Sequence, residues 1–418
     1  MNIGHFGVFN PQAWRLTPLF MKTRQSIYLD NHATTPVDPR VVEAMVPFWT
    51  EMPGNPASWH GFGREAAEAV EKARGQVAGL MGVEPRSVYF TSGATESINL
   101  ALKGVMRFYG DKGNHIITSR IEHPATLDTC KFLESEGVQV TRLPVDRKGR
   151  IDPADLDAAI TPGTVLVSLI HANNEVGTVQ DVEKLGAVTR KHGVFLHLDA
   201  SQSLGKVPVD LQNLPVDLLS ATAHKLYGPK GVGCLYLRRK DPRVRLEAQL
   251  QGGGHERGVR PGTLNVPGIV GFGKACEIAG EEMGEGNGSI SGLRDKLWTL
   301  LQEAIPGISR NGDPEAILPG NLNVQFPGVD AMALLSRLPG IAMSAGSACT
   351  SAVPAPSHVL RAMGLSPDEA TSCVRVGVGR FNTMEEIQEA ARQISQAFDG
   401  LKSGPVSDEL PESCLLDI

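Results

Sequence analysis

Lys225 is the residue whose chemistry stands out first. It follows the apolar run Leu218–Ala221 through Thr222, Ala223 and His224, and Tyr227–Gly228–Pro229–Lys230–Gly231 comes after it. That places it where a strand gives way to a Gly/Pro-rich turn. A lysine at a strand end inside a cleft is stripped of water, its pKa falls, and the free amine becomes a nucleophile toward carbonyl carbon. Alone it would read as a solvated lysine beside a turn; the groups elsewhere in the chain change that reading.

Thr91–Ser92–Gly93–Ala94–Thr95–Glu96–Ser97 joins the run Val88–Thr91 to a helical pattern. Backbone N–H groups at a helix start, backed by the positive end of the helix dipole, form an anion site. Gly93 permits close approach and Thr95 offers a hydroxyl, although the same residues also suit an N-cap with a capping box. Asp199 ends the run Val194–Leu198, 26 residues before Lys225 with one strand between, so both can meet at one sheet edge. An aspartate there can hold a pyridinium N–H and keep that ring protonated, or it can cap a helix. Gln202, one turn on, can donate to a ring hydroxyl. His123, in Glu122–His123–Pro124–Ala125, can stack on a planar cofactor and shuttle protons near neutral pH, or be a surface histidine. Asn174, in Asn173–Asn174–Glu175–Val176–Gly177, can reach a cofactor and a substrate carboxylate; asparagine also suits a turn. An amine, a phosphate cradle and a carboxylate aimed at a ring nitrogen are together what a pyridoxal phosphate (PLP) Schiff base needs.

A second nucleophile stands apart. Ser344–Ala345–Gly346–Ser347–Ala348–Cys349–Thr350–Ser351–Ala352 contains only small residues, so burial cannot anchor it and mobility is expected. A cysteine on such a loop is accessible and can act as a thiolate; the other reading is a small core cysteine. Arg375 alternates with apolar residues in Val374–Val378, where it can clamp a carboxylate or form a structural salt bridge. Gln251–Thr263 interleaves glycines with His255, Glu256, Arg257 and Arg260, as a backbone does when it approaches an anion or crosses a subunit boundary.

These residues need a scaffold. Apolar runs at Val88–Thr91, His115–Thr118, Gln139–Leu143, Val165–Ile170, Val194–Leu198, Leu218–Ala221 and Gly233–Leu237 alternate with helical segments such as Glu96–Tyr109, Leu127–Glu136 and Val182–His192. The expected fold is α/β: a large domain with a mostly parallel seven-stranded sheet flanked by helices, plus a smaller α+β domain. In such sheets ligands gather at the carboxyl ends of the strands. The expected organisation is an unstructured extension over 1–26, a strand over 27–36 that joins the small domain, and a large PLP-binding domain over 37–265. A small domain over 266–401 carries the Cys349 loop, and 402–418 is a mobile tail. Within the small domain, helices at Ile269–Met283 and Leu293–Ile305 flank a linker at Gly284–Gly288. Val41–Trp49 reads as one helix.

Composition sets the bounds. A 418-residue chain with 41% hydrophobic and 21% charged residues can bury a large core. A net charge of -6 argues against nucleic-acid binding, and no apolar run is long enough to cross a bilayer. The six cysteines have neither metal-ligand nor disulfide spacing, so no metal site is expected and a reducing, cytoplasmic location is. Residues 1–26 hold Arg15, Lys22 and Arg24 with no acid, which leaves organelle import as a lesser alternative.

The full set resembles the class I (IscS/NifS-type) cysteine desulfurases, PLP enzymes of the aspartate aminotransferase fold type. The resemblance covers about Ile27 to Leu401 and rests on Tyr28–Leu29–Asp30–Asn31, Thr91–Ser97, Glu122–His123–Pro124, Asn173–Asn174–Glu175, Asp199 with Gln202, His224–Lys225, Gly252–Glu256 with Gly262–Thr263, and Ser347–Ser351. It implies that Lys225 carries the cofactor. It further implies that Ala94, Thr95, Thr222, Ala223 and His224 surround the phosphate, and that Thr263 reaches the phosphate of a second subunit in a homodimer. By the same resemblance Asp199 and Gln202 contact the ring, His123 stacks on it, Asn174 and Arg375 meet L-cysteine, and Cys349 takes its sulfur for an Fe–S scaffold or tRNA-thiolation acceptor. Two departures stand out: Gly377 where the family has serine, and Thr222 where serine is more usual. A selenocysteine lyase, a cystine C–S lyase and a PLP-binding assembly protein without turnover are the rival readings.

Overall fold

The computed structural model describes residues 26–345 and 356–403. Cys349, Cys414 and the expectations for residues 1–25 and 404–418 lie outside the described residues.

The chain opens with strand β1 (Ile27–Tyr28) and helices α1 (Pro39–Met45), α2 (Pro47–Thr50) and α3 (Gly61–Leu80). Val41–Trp49 is therefore not one helix. Asp38 caps α1 by accepting from the Arg40 N–H, and Pro47, which has no N–H to continue the ladder, starts α2. Strands β2 (Val88–Thr91), β3 (His115–Ser119), β4 (Gln139–Leu143), β5 (Thr164–Ile170), β6 (Phe195–Asp199), β7 (Leu218–Thr222) and β8 (Gly233–Leu237) follow. Helices α4 (Ala94–Phe108), α5 (Pro124–Ser135), α6 (Pro153–Ala159) and α7 (Val182–His192) alternate with them.

The seven strands form one sheet in the order β2-β8-β7-β6-β5-β3-β4. Pairings from β7 through β4 are parallel, while β8 runs antiparallel to both β7 and β2. Two reversals in succession leave β2 pointing the same way as β7. Every strand except β8 therefore delivers its carboxyl end to one edge. Both faces are covered. One packs Val70, Ala73 and Val77 of α3 with Leu196, Leu219 and Phe272, and the other packs Ile98, Leu102 and Val105 of α4 with Leu133, Leu166 and Leu235.

Helix α8 runs unbroken from Val266 to Ala304, over 39 residues, so the linker expected at Gly284–Gly288 is absent. Each glycine costs a helix interior about 1 kcal/mol. Packing offsets that cost at both ends: Ile269, Phe272, Ala275 and Cys276 are buried in the core of the large sheet, while Leu297 and Leu301 are buried in a second core. Between them Asn287 Nδ2 donates to the Lys206 carbonyl at 2.7 Å, and Glu282 pairs with Arg40 at 2.6 Å.

The second core is built on strands β9 (Ser309–Asn311), β10 (Asn321–Gln325), β11 (Ile341–Ala342), β12 (Ser344–Ala345) and β13 (Cys373–Gly377). Helices α9 (Ala331–Ser336), α10 (His358–Ala362), α11 (Pro367–Thr371) and α12 (Met384–Ser403) complete it. Its four-stranded sheet has the order β12-β13-β10-β9, and β1 pairs in parallel with β11. Among the described residues no helix is long and apolar enough to cross a membrane.

Candidate active site

The shared carboxyl edge opens into a cavity of about 520 Å³. Ala94, Thr95, His123, Asn174, Asp199, Gln202, Thr222, His224 and Lys225 all line it. They come from the ends of β2, β3, β5, β6 and β7, so the sheet topology alone brings together residues 131 positions apart in sequence. Ala223 does not line the cavity; it is buried, and its N–H donates to the Val232 carbonyl at 3.2 Å. Thr263 is exposed and not part of the cavity wall.

The turn before α4 is packed flat on the sheet. A Cβ at Gly233 would meet the Ala221 carbonyl oxygen at 2.5 Å and Gly93 Cα at 2.7 Å, so only glycine allows that approach. Glu96 Oε2 closes the turn by accepting from the Ser92 N–H at 2.7 Å. The N–H groups that open α4 have no acceptors within the helix, and Gly93, Ala94 and Thr95 at that helix start line the cavity.

Lys225 ends a 3₁₀ turn, Ala223–Lys225, that the N-terminal segment pins down. The His224 carbonyl accepts from Thr35 N at 2.9 Å and Thr35 Oγ1 at 3.0 Å, and His224 Nδ1 meets Thr34 Oγ1 at 3.1 Å. Asp199 is buried, and its Oδ1 accepts from Ser201 N at 2.9 Å and Ser201 Oγ at 2.5 Å. His123 caps α5: its Nδ1 accepts from the Ala125 N–H at 3.1 Å. That bond places the proton of the neutral ring on Nε2. Burial, then the Lys225 charge, keeps the His123 pKa below its ordinary value, with Asp199 opposing. Burial and then Lys225 push His224 down to about 4.

Arg375 is buried behind Asn174. Its guanidinium pairs with Asp30 at 2.9 Å and donates to the Asn174 carbonyl at 3.1 Å, while Nε has no hydrogen-bond partner among the described residues. Gly377 also has a physical reason. A Cβ there would meet Asn31 N at 2.8 Å and His32 N and Cδ2 at 3.0 Å, so the His32 ring fills the space a larger residue would need.

The Gly-rich stretch is anchored to the same edge from outside. Glu256 sits at a positive φ of 46° and Arg257 at 56°. Glu256 makes two 2.8 Å bonds to the Arg74 guanidinium and a third from the Phe90 N–H, with both partners' side chains at most 2% exposed. Arg260 pairs with Glu96 at 2.8 Å, tying the stretch that ends in Thr263 to the turn before α4. Glu256→Ala would remove the buried counter-ion of Arg74 and leave it the exposed Glu71 and the Val88 carbonyl. We expect a loss of about 3–5 kcal/mol of stability, read from the urea midpoint.

Sequence reading missed Glu122 as more than His123's neighbour. It is fully buried; Oε1 accepts from Ser119 Oγ at 2.5 Å and Ile170 N at 3.0 Å, and Oε2 meets no partner among the described residues. Burial pushes its pKa up to about 8, against the Ser119 hydrogen bond. An unfolded glutamate titrates near ~4.3. Between these values the native chain holds a proton that the unfolded chain has lost, so stability falls as pH rises through that window, by up to about 1.4 kcal/mol per unit. Glu122→Gln should flatten the fall between pH 5 and 8 in urea titrations; an unchanged slope would show that Glu122 is ionised in the native chain. His32 and Lys206 were also missed as site groups, although Lys206 follows Gln202 by four positions.

Cofactor fit can be judged from the charges. Burial is the first cause that lowers the pKa values of His32, His123, His224 and Lys206, and neighbouring cations lower each of them further. A cavity with a positive field, a helix start on one wall, a carboxylate on another and a lysine at its lip suits a phosphorylated pyridine aldehyde.

Residues 27–389 match the family described as aminotransferase class-V, and the chain belongs to that family. Enzymes of this family fold carry PLP. Within the family it stands with the IscS/NifS-type cysteine desulfurases. It is 53% identical over 377 residues to the cysteine desulfurase IscS of Anaeromyxobacter dehalogenans (strain 2CP-C), covering 90% of this chain and 93% of that one. It is 52% identical over 379 residues to IscS of Escherichia coli O139:H28 (strain E24377A / ETEC), again covering 90% of this chain and 93% of the relative. A NifS-like protein of solved structure, 41% identical, matches with a TM-score of 0.84 over 90% of this chain and 99% of its own. The α/β architecture with a mostly parallel seven-stranded sheet agrees with the reading from sequence.

Proposed function

We propose that this chain is a PLP-dependent cysteine desulfurase, which removes sulfur from L-cysteine to give L-alanine and a persulfide on Cys349. The observation that carries the proposal is the convergence of Lys225, Asp199, His123 and the start of α4 on one cavity. Ala94, Thr95, Thr222 and His224 would hold the phosphate, Asp199 the ring nitrogen, Gln202 the ring oxygen and His123 the ring face. Bound there, PLP supplies the electron sink that acidifies the substrate Cα–H and loosens its Cβ–S bond.

Lys225 would hold the cofactor and is also the amine placed to move the substrate Cα proton. His123, neutral with its proton on Nε2, is the group placed for transfers at the substrate thiol. Asn174, on the cavity wall, and Arg375, which donates to the Asn174 carbonyl from behind it, are assigned to the substrate carboxylate. Cys349 thiolate attacks the substrate sulfur. An S–S bond forms, the Cβ–S bond breaks with its electron pair going to Cβ, and Cβ takes a proton to become the methyl of alanine. Among the described residues Cys130, Cys234, Cys276 and Cys373 are buried. Burial pushes the first, second and fourth thiols up to about 12 and raises Cys276 well above its ordinary value, so none of them supplies a thiolate at neutral pH.

On this reading residues 37–265 form the cofactor-binding domain and 266–401 the domain that carries Cys349. Thr263 reaches the phosphate of a second copy in a homodimer, and the sulfur goes to an Fe–S scaffold or another acceptor in the cytoplasm. The test is product analysis with L-cysteine, a thiol reductant and added PLP. Alanine and sulfide should form in equal amounts. Turnover of selenocysteine or cystine alone would overturn the proposal, as would bound PLP with no turnover of any of the three.

A further inference from the structure

A second cavity, of about 140 Å³, is lined by His32, Lys206, Glu282, Asn287 and Arg380. Gln202 connects the two cavities through His32 and Lys206. It is 2% exposed and lines the first cavity, yet its amide is held from the second. Gln202 Oε1 lies 3.2 Å from Lys206 Nζ and 3.2 Å from His32 Nδ1, and Gln202 Nε2 donates to the His32 carbonyl at 2.8 Å.

These contacts fix which way the amide points. The His32 carbonyl can only accept, so the atom facing it must be the amide nitrogen, which leaves the amide oxygen to accept from the Lys206 amine. With the oxygen held by Lys206 and His32, and one amide N–H on the His32 carbonyl, the second N–H is left for the first cavity. Flipping the amide would set a carbonyl oxygen against the His32 carbonyl oxygen and take the acceptor away from the Lys206 amine. Lys206 forms no ion pair among the described residues; Glu282, the acid in its cavity, is taken by Arg40 and Arg380. The charges that bear on the Lys206 amine are Lys225 and Arg375, both positive, and its pKa is lowered to about 7 by burial first and these cations second. His224 and His32 face it as neutral rings. Lys206 is tied to α8 as well, since its carbonyl accepts from Asn287 Nδ2 at 2.7 Å.

We propose that Lys206 is a positioning residue which, by holding the Gln202 oxygen, forces an amide N–H toward the cofactor's ring oxygen. This rests on the reading that PLP occupies the first cavity with that oxygen beside Gln202. A donor on the ring oxygen withdraws electron density from it and weakens its hold on the proton it shares with the lysine–cofactor linkage. Losing the donor therefore raises the pH at which that proton leaves.

The readout is the pH midpoint of the visible absorbance band of the PLP-loaded full chain. We expect Lys206→Met to raise the midpoint by roughly one pH unit, and Lys206→Arg, which keeps the donor, to stay within about 0.3 unit of the parent. In a Gln202→Leu background the further change caused by Lys206→Met should be less than half as large. An unchanged midpoint in a Lys206→Met protein that retains the band overturns the proposal, and so does a full shift in the Gln202→Leu background, which would mean that Lys206 acts without Gln202. Lys206→Gln serves the same comparison if the methionine variant does not fold. Absence of any borohydride-sensitive band in the parent protein would instead strike at the cofactor reading, so the two failures are told apart.

Discussion

Lys225→Ala is expected to give a protein that folds, no longer carries a borohydride-reducible adduct, and has lost at least about 10⁴-fold in kcat/KM, equivalent to about 5.5 kcal/mol of transition-state stabilisation. The size follows from the two tasks that the proposed function gives one amine: it would hold the cofactor covalently and act as the base at the substrate Cα. The supporting geometry is independent of the side chain. Thr34 and Thr35 hold the His224 carbonyl, and the Tyr227 N–H donates to Thr35 Oγ1 at 2.8 Å, so the turn survives truncation at Lys225. The measurement is borohydride reduction followed by peptide mass analysis. The parent should carry the adduct on the peptide that contains Lys225, and a reducible adduct surviving in Lys225→Ala would refute the assignment. Exogenous alkylamines offer a finer check, since partial rescue of Cα proton exchange would show that a base, and not a packing contact, was removed.

Cys349→Ser should part colour from chemistry. The variant keeps its visible band, because no cofactor contact is assigned to Cys349, and it loses sulfide production by about 10³-fold or more. A hydroxyl at that position is not ionised near neutral pH and does not form a stable bond to transferred sulfur. Mass analysis after one turnover should find an added sulfur on the parent's Cys349 and none on the variant. Retained persulfide in Cys349→Ser would move the role to another cysteine. The four described alternatives are poor substitutes, since Cys130, Cys234 and Cys276 are at most 1% exposed and Cys373 is held between Asn311 Nδ2 and the Glu369 carbonyl.

Much of the site was legible because each group sits directly after an apolar run. Strand ends mark the active edge of a parallel sheet, and Asp199, His123, Asn174 and Lys225 are each within a few residues of such an end. What stayed hidden depended on tertiary geometry. The reversed direction of β8 leaves no trace in a run that is buried on both faces. Gly284–Gly288 has the local signal of a linker, and only burial at both ends of α8 overrides it. His32 and Lys206 lie 174 residues apart and become one network solely because both reach Gln202. Arg375 illustrates the middle case: either a carboxylate clamp or a salt bridge fitted its pattern, and the structure gives it Asp30 as a partner while leaving Nε unused.

The link between Asp30 and Arg375 spans 345 residues of sequence, and that of Thr35 with the His224 carbonyl spans 189. During synthesis the ribosome must therefore release almost the whole polypeptide before the substrate end of the pocket can close, whereas the groups assigned to the phosphate and ring on one chain need only β8 and the first turns of α8 to follow Lys225. The order in which the two pieces of the pocket can be assembled is thus set by how far apart their halves are encoded.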